Sequence, residues 1–184
     1  MTVPYVHSGY ERIQDDNYQT IDKRCIYGLL EWFPNLGTVI DPCADHGSAI
    51  ISTLQELGYD ALGWEDALSD WDFKTEWIVT NPPYKRNLVD KIIARQIGRL
   101  ETDSVDGVAI LLRANFDYAK CRKLMFDEPT YYGQIKLRFR PWWTEERKAQ
   151  PIHNYCWHIW KHNNNSHPVI LYSDGSEPKG KINA

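Results

Sequence analysis

The stretch Trp77-Ile78-Val79-Thr80-Asn81-Pro82-Pro83-Tyr84 decides how this chain is read. Trp77–Thr80 is a short apolar, β-branched run, and two prolines stop it, so it reads as a buried strand followed by a turn. Asn81 stands at the carboxyl end of that strand, where parallel α/β folds bind ligands. Its side-chain carbonyl can accept a hydrogen bond from an amino group. The prolines fix φ and remove two N–H donors, which makes the turn rigid and leaves the Pro82 carbonyl to face the site. Two acceptors converging on one amino group hold it and draw its lone pair out of ring conjugation. Tyr84 adds a ring on which a planar base can stack. The plainer reading is a stiff turn after a core strand, so the neighbouring segments have to decide.

Upstream, Gly37–Asp41 reads as a strand ending in an acid. The turn Asp41-Pro42-Cys43-Ala44-Asp45-His46-Gly47 follows it, and Ser48–Leu57 then reads as a helix. A turn between a strand and a helix is where a cofactor-binding loop belongs. Asp60–Glu65 is a second strand ending in acids, with Asp66 next to Glu65. Glu65 lies 24 positions after Asp41, and a ribose-binding acid is expected roughly 20 residues on. Asp72 and Phe73 precede Asn81, the one able to accept from an adenine amino group and the other to stack on its ring. Four site elements therefore fall at successive strand ends.

The remaining segments extend the alternation. Helices are expected at Lys23–Phe33, Asn87–Leu100 and Tyr118–Phe126, and strands at Val108–Leu112, Gln134–Arg140 and Asn154–Trp160. Strands alternating with helices imply a mostly parallel α/β sheet with helices on both faces. The last two strands, with no helix between them, imply an antiparallel hairpin at one edge. One domain over 1–184 is expected, with an irregular segment at 1–17 and a tail from about 173 to 184.

These motifs resemble those of the class I, S-adenosylmethionine-dependent amino-methyltransferases. Within that group the chain is similar to the small phage- and prophage-type DNA N6-adenine enzymes. The resemblance implies a Rossmann-like, seven-stranded sheet with a reversed terminal hairpin. It implies cofactor contacts from Asp41, Pro42, Cys43, Ala44, Gly47, Glu65, Asp66, Asp72, Phe73 and Asn81. Asn81, Pro82, Pro83 and Tyr84 match the catalytic loop. Tyr18 and Thr20 match an element bordering the cofactor's methionine end, with Ile21 where proline is usual. Asp45 stands where the cofactor turn's first glycine is expected. Trp142 or Trp143 is a candidate to stack on the other face of a substrate base, and Lys85, Arg86, Arg138, Arg140, Arg147 and Lys148 are candidates to contact phosphate. The short spacing between these motifs leaves no room for a separate target-recognition domain.

Charge and composition fit this picture. The net charge is −4, which is not a nucleic-acid binder's usual balance. Arg113 to Lys161, however, carries ten basic and five acidic residues, so that segment is +5 and the rest −9. Four cysteines without a C-x-x-C pair argue against a disulfide scaffold and suit a reducing cytoplasm. The N-terminus has no basic start with an apolar run behind it, and the longest apolar run is too short to span a bilayer. The spacing of His153, Cys156, His158 and His162 matches no common zinc site, so no metal is expected. DNA is the expected partner. An RNA or protein-glutamine amino-methyltransferase is the nearest rival, and a binding protein without catalysis is the rival from another class.

Overall fold

The structure is a computed structural model that describes residues 19–44, 48–71, 73–85, 87–102, 105–146 and 150–179. A seven-stranded sheet forms its centre. The strands are β1 (Thr38–Asp41), β2 (Asp60–Gly63), β3 (Trp77–Thr80), β4 (Gly107–Arg113), β5 (Tyr131–Leu137), β6 (Tyr155–Lys161) and β7 (Val169–Ser173), in the order β2-β1-β3-β4-β6-β5-β7. β6 runs antiparallel to β4 and β5, and the other pairings are parallel. Six strands therefore point one way and one is reversed, as the methyltransferase-like expectation required.

Alternation of side chains along each strand divides the core in two. Val39, Val79, Ala109, Leu111, Ile135, Trp157 and Ile159 face one side, with Cys25, Ile26 and Leu29 of α1 (Arg24–Leu30) and Ile50 and Leu54 of α2 (Ala49–Glu56). Ile40, Ile78, Val108, Ile110, Leu112 and Trp160 face the other. Val89, Ile93 and Leu100 of α3 (Leu88–Thr102) cover that side, and α4 (Lys123–Phe126) adds Met125 and Phe126. Trp157 is the largest contribution to the first face. It is fully buried, and its indole N–H donates to the Cys25 carbonyl at 2.7 Å, which ties α1 to the reversed strand. Truncating such a residue costs about 3–5 kcal/mol.

Three departures from the expected elements have physical causes. β5 begins at Tyr131 rather than Gln134, across a bulge between Tyr131 and Gly133. Gly133 has φ 138°, and a Cβ there would collide with the Val169 carbonyl. The glycine at 133 is thus what lets β7 approach. β7 lies parallel to β5, so the hairpin is flanked by one more strand. The expected helix Tyr118–Phe126 is instead two short 3₁₀ turns and a single helical turn, because Ala119 is extended (φ −73°, ψ 120°). Arg122 holds the break, donating to the Phe116 carbonyl at 3.0 Å and to Asp90 at 2.8 Å.

Among the polar groups buried in this core is His158, fully buried. The Tyr131 hydroxyl lies 2.9 Å from Nδ1, and Cys156 Sγ lies 3.3 Å from Nε2. Burial pushes the imidazole down to about 3. The unfolded chain binds this proton below about pH 6.5 and the folded chain does not, so stability falls as pH drops from about 6.5 towards 3. The group should contribute about 1.4 kcal/mol per pH unit within that window. Urea unfolding of wild type and His158→Gln between about pH 4 and pH 7 checks this. The stability gap between them should narrow on acidification, and a pH-independent gap would refute the assignment.

Candidate active site

Parallel strands that end together bring their following turns together, and here those turns carry the motifs. Asp41 closes β1 and is 2 % exposed. Its carboxylate accepts from the Thr80 hydroxyl at 2.6 Å, the Cys43 amide at 3.0 Å and the Ser48 hydroxyl at 3.4 Å. Burial raises its pKa to about 6, and the three donors work against that rise. Ser48 also caps α2, accepting from the Ile50 amide at 3.3 Å. One carboxylate thus joins the end of β1, the end of β3 and the start of α2. In the sequence Thr80 is only the last residue of a strand, and its signal is a hydroxyl closing an otherwise apolar run.

A cleft of about 510 Å³ opens beside this junction. It is lined by Pro42, Cys43 and Ala44 of the first turn, by Glu65, Asp66, Ala67 and Leu68 after β2, and by Pro83, Leu88 and Ile92. Its size is that of a small-molecule pocket. The described residues that line it include two acids and no cation. Burial and the nearby Asp41 push the Cys43 thiol up to about 12, so it is no thiolate nucleophile at neutral pH. Thr20 lies at the start of α2, where its carbonyl accepts from the Ala49 amide at 2.7 Å. Its hydroxyl is buried and has no partner among the described residues. Phe73 does not line the cleft: it packs against Trp64 and Trp71 at 5.8 and 6.0 Å between ring centres. Tyr18, Asp45, His46, Gly47, Asp72, Arg86, Arg147 and Lys148 lie outside the described residues.

The loop that forms one wall of the cleft is held from α3 by two residues that sequence reasoning missed. Gln96, fully buried, donates to the Ala67 carbonyl at 2.7 Å. Arg99 donates to the Ser69 carbonyl at 2.8 Å and lies over the Trp71 ring at 3.5 Å. Both residues look like surface positions until the loop folds over them.

Tyr84 of the Asn81–Tyr84 turn contacts Tyr155, which lines a second concavity. Asn81 is buried, and its side-chain oxygen accepts from the Tyr84 hydroxyl at 3.0 Å. The same hydroxyl reaches the Leu111 carbonyl at 2.8 Å. A phenol has one proton, so these two acceptors share it. The Tyr84 ring meets Tyr155 edge-on at 6.2 Å, with Arg113 5.9 Å from its centre. Trp143 packs on Tyr155 at 4.8 Å. Tyr155 in turn lines a groove of about 700 Å³ with Trp142, Arg140, Arg138, Lys136 and Arg24. Trp142 is fixed there by its backbone N–H, which donates to Asp22 at 3.1 Å. Lys85 is exposed, and its carbonyl starts α3 by accepting from Leu88 and Val89 at 3.1 Å.

The solved structures bear on this arrangement. A candidate class I S-adenosylmethionine-dependent methyltransferase from Listeria monocytogenes superposes with a TM-score of 0.57 at 12 % identity, over 88 % of this chain and 67 % of its own. A candidate RNA methyltransferase from Pyrococcus horikoshii gives 0.54 at 10 % identity, over 84 % and 93 %. The fold is that of the class I methyltransferases. No protein-family model matches the chain, and no curated protein does. Among the described residues no helix is long and apolar enough to cross a membrane, and no group of three or more His, Cys, Asp or Glu is placed to hold a metal ion.

The clamp from α3 can be tested without any ligand. Arg99→Met and Gln96→Leu should each destabilise the protein by about 1–3 kcal/mol, the cost of leaving a carbonyl unpaired. Hydrogen exchange should rise in 66–71 while β1 and β3 keep their protection. Unchanged exchange in that loop would remove the clamp.

Proposed function

We propose that this chain transfers a methyl group from S-adenosylmethionine to an exocyclic amino nitrogen of a nucleic-acid base, N6 of adenine in DNA. One observation carries the reading: at the carboxyl end of the sheet, Pro83 of the Asn81–Tyr84 turn lines the acid-lined cleft, and Tyr84 meets Tyr155, which lines the cation-lined groove. The resemblance of the turn to the catalytic loop of amino-methyltransferases supports the choice of an amine acceptor, and the fold supports the choice of cofactor.

The residues of the cleft fit that cofactor. Its sulfonium and ammonium groups are cations, and Glu65 and Asp66 give the wall the complementary sign. On this reading Glu65 would take the ribose hydroxyls and the Pro42–Ala44 turn the methionine part. The unpartnered Thr20 hydroxyl offers a further hydrogen bond beside the start of α2. When bound, S-adenosylmethionine supplies a methyl group already activated on positive sulfur.

The chain's own residues then have only to position the acceptor, and positioning alone can supply a large part of a barrier. Asn81 accepts one hydrogen of the base amine. It can do so because the Tyr84 hydroxyl has the Leu111 carbonyl as a second, shorter acceptor to turn to. The Pro82 carbonyl accepts the other hydrogen. The proline pair keeps these acceptors from swinging apart, and the Tyr84 ring supports the base. RNA is the second reading, favoured by the solved Pyrococcus protein named a candidate RNA methyltransferase.

Mass spectrometry of nucleosides after incubation with S-adenosylmethionine and DNA, RNA or a glutamine peptide tests this. N6-methyladenine in DNA is the expected product. Asn81→Ala should lower the rate by about 10²-fold or more, the scale of losing one preorganised polar contact to a reacting group. Cofactor affinity by calorimetry should fall by much less than the rate. A variant that methylates at the wild-type rate would refute the mechanism.

A further inference from the structure

We propose that the cation-lined groove is a track for one unpaired nucleic-acid strand, so that the target base reaches the Asn81–Tyr84 turn without being extruded from a duplex. The proposal rests on the methyl-transfer reading and names the form of its substrate.

The first argument is electrostatic. Arg24, Lys136, Arg138 and Arg140 line the groove and no acid does among the described residues, although Asp22 pairs with Arg24 at 2.7 Å from beside it and Asp174 lies 3.9 Å from Arg138. The whole chain carries −4. A concave, locally positive surface on an acidic body focuses a polyanion onto one place. The acid-lined cleft at the same end of the sheet repels that polyanion, which leaves the groove as its seat.

The second argument is the rings. Tyr118, Phe139, Trp142, Tyr155 and Tyr172 share the groove with the four cations. Tyr118 is 82 % exposed and Tyr172 46 %. Two cations also brace rings: Arg24 lies 4.4 Å from the centre of Phe139, and Arg138 lies 4.9 Å from that of Tyr172. A braced ring makes a better platform, since little motion is lost when a base stacks on it. Cations interleaved with rings form the surface that takes single strands, whose bases expose their flat faces. In a duplex those faces are stacked on one another, and a convex rod presents only phosphate and base edges to a groove. The rings would then have nothing to stack on.

The third argument is continuity. Tyr155 lines the groove and meets the Tyr84 ring at 6.2 Å. One ring, that of Tyr155, thus separates the groove from the turn that would hold the amine.

Fluorescence anisotropy with a labelled oligonucleotide of about 12 nucleotides, the span typical of such tracks, tests the proposal on the full chain. DNA and RNA single strands are compared with the duplex of the same sequence. A single strand should bind at least about tenfold tighter than the duplex. Tyr118→Ala should weaken strand binding by about 5- to 150-fold, the range for loss of one stacked base. Lys136→Gln should flatten the log–log salt dependence by about 0.7, one phosphate contact. Duplex binding as tight as single-strand binding, or a Tyr118→Ala variant that binds like wild type, overturns the proposal. Calorimetry with S-adenosylmethionine separates the two readings. Wild type that holds the strand but not the cofactor sinks methyl transfer and keeps the track. Wild type that holds the cofactor but prefers duplex sinks the track and keeps methyl transfer.

Discussion

The carboxylate of Asp41 is the point on which the site's geometry depends. Burial alone would expel a negative charge from this position, and its pKa is raised to about 6. Three donors offset that cost: the Thr80 hydroxyl from β3, the Cys43 amide from the adjoining turn, and Ser48 from the cap of α2. Each donor comes from a different segment. Satisfying the charge therefore fixes those segments relative to one another, and a turn one residue beyond Thr80 inherits the fixed position. The rigidity of the proline pair would be of little use on a strand end that could drift.

A second layer of fixing comes from α3. Its apolar face packs on the sheet through Val89, Ile93 and Leu100. Its polar residues Gln96 and Arg99 reach over the strand ends to the loop after β2. The loop carries the acids of the cleft, so the helix that covers the sheet also shapes the pocket. Burial of Arg99 is tolerated because its charge is spread over a planar group that stacks on Trp71 and donates to a carbonyl.

Much of this was legible in the chain because the strands are short, apolar and each ended by a chemically distinctive turn. β3 has the bounds its sequence implied, since two prolines leave no other place for it to stop. What escaped notice depended on contacts between distant segments. β7 follows a polar stretch, and its Ile170 and Tyr172 are exposed, so nothing in its own sequence marks it as part of a sheet. It exists because Gly133, far away in β5, yields space for its backbone. Phe73 stands out in sequence by its place in a motif, whereas its packing against Trp64 and Trp71 is visible only in the fold. Lys136 and Arg138 were visible as the polar face of an alternating strand. Arg24 was not, because only the fold carries the first helix to the same groove.

The separation of charge at the end of the sheet has a chemical logic under the proposed reading. A cationic methyl donor and a polyanionic acceptor would attract each other strongly in a single cavity, at whatever distance their charges preferred. Placing an acid-lined cleft and a cation-lined groove on either side of one turn gives each ligand its own counter-charge. The partition itself carries no charge at Asn81, Pro82, Pro83 or Tyr84, and the two prolines lack the N–H that could bind a phosphate. Neither ligand meets a charge on the wall between them. The contacts across that wall are then the short-range ones of the amine with its acceptors, and these depend on geometry.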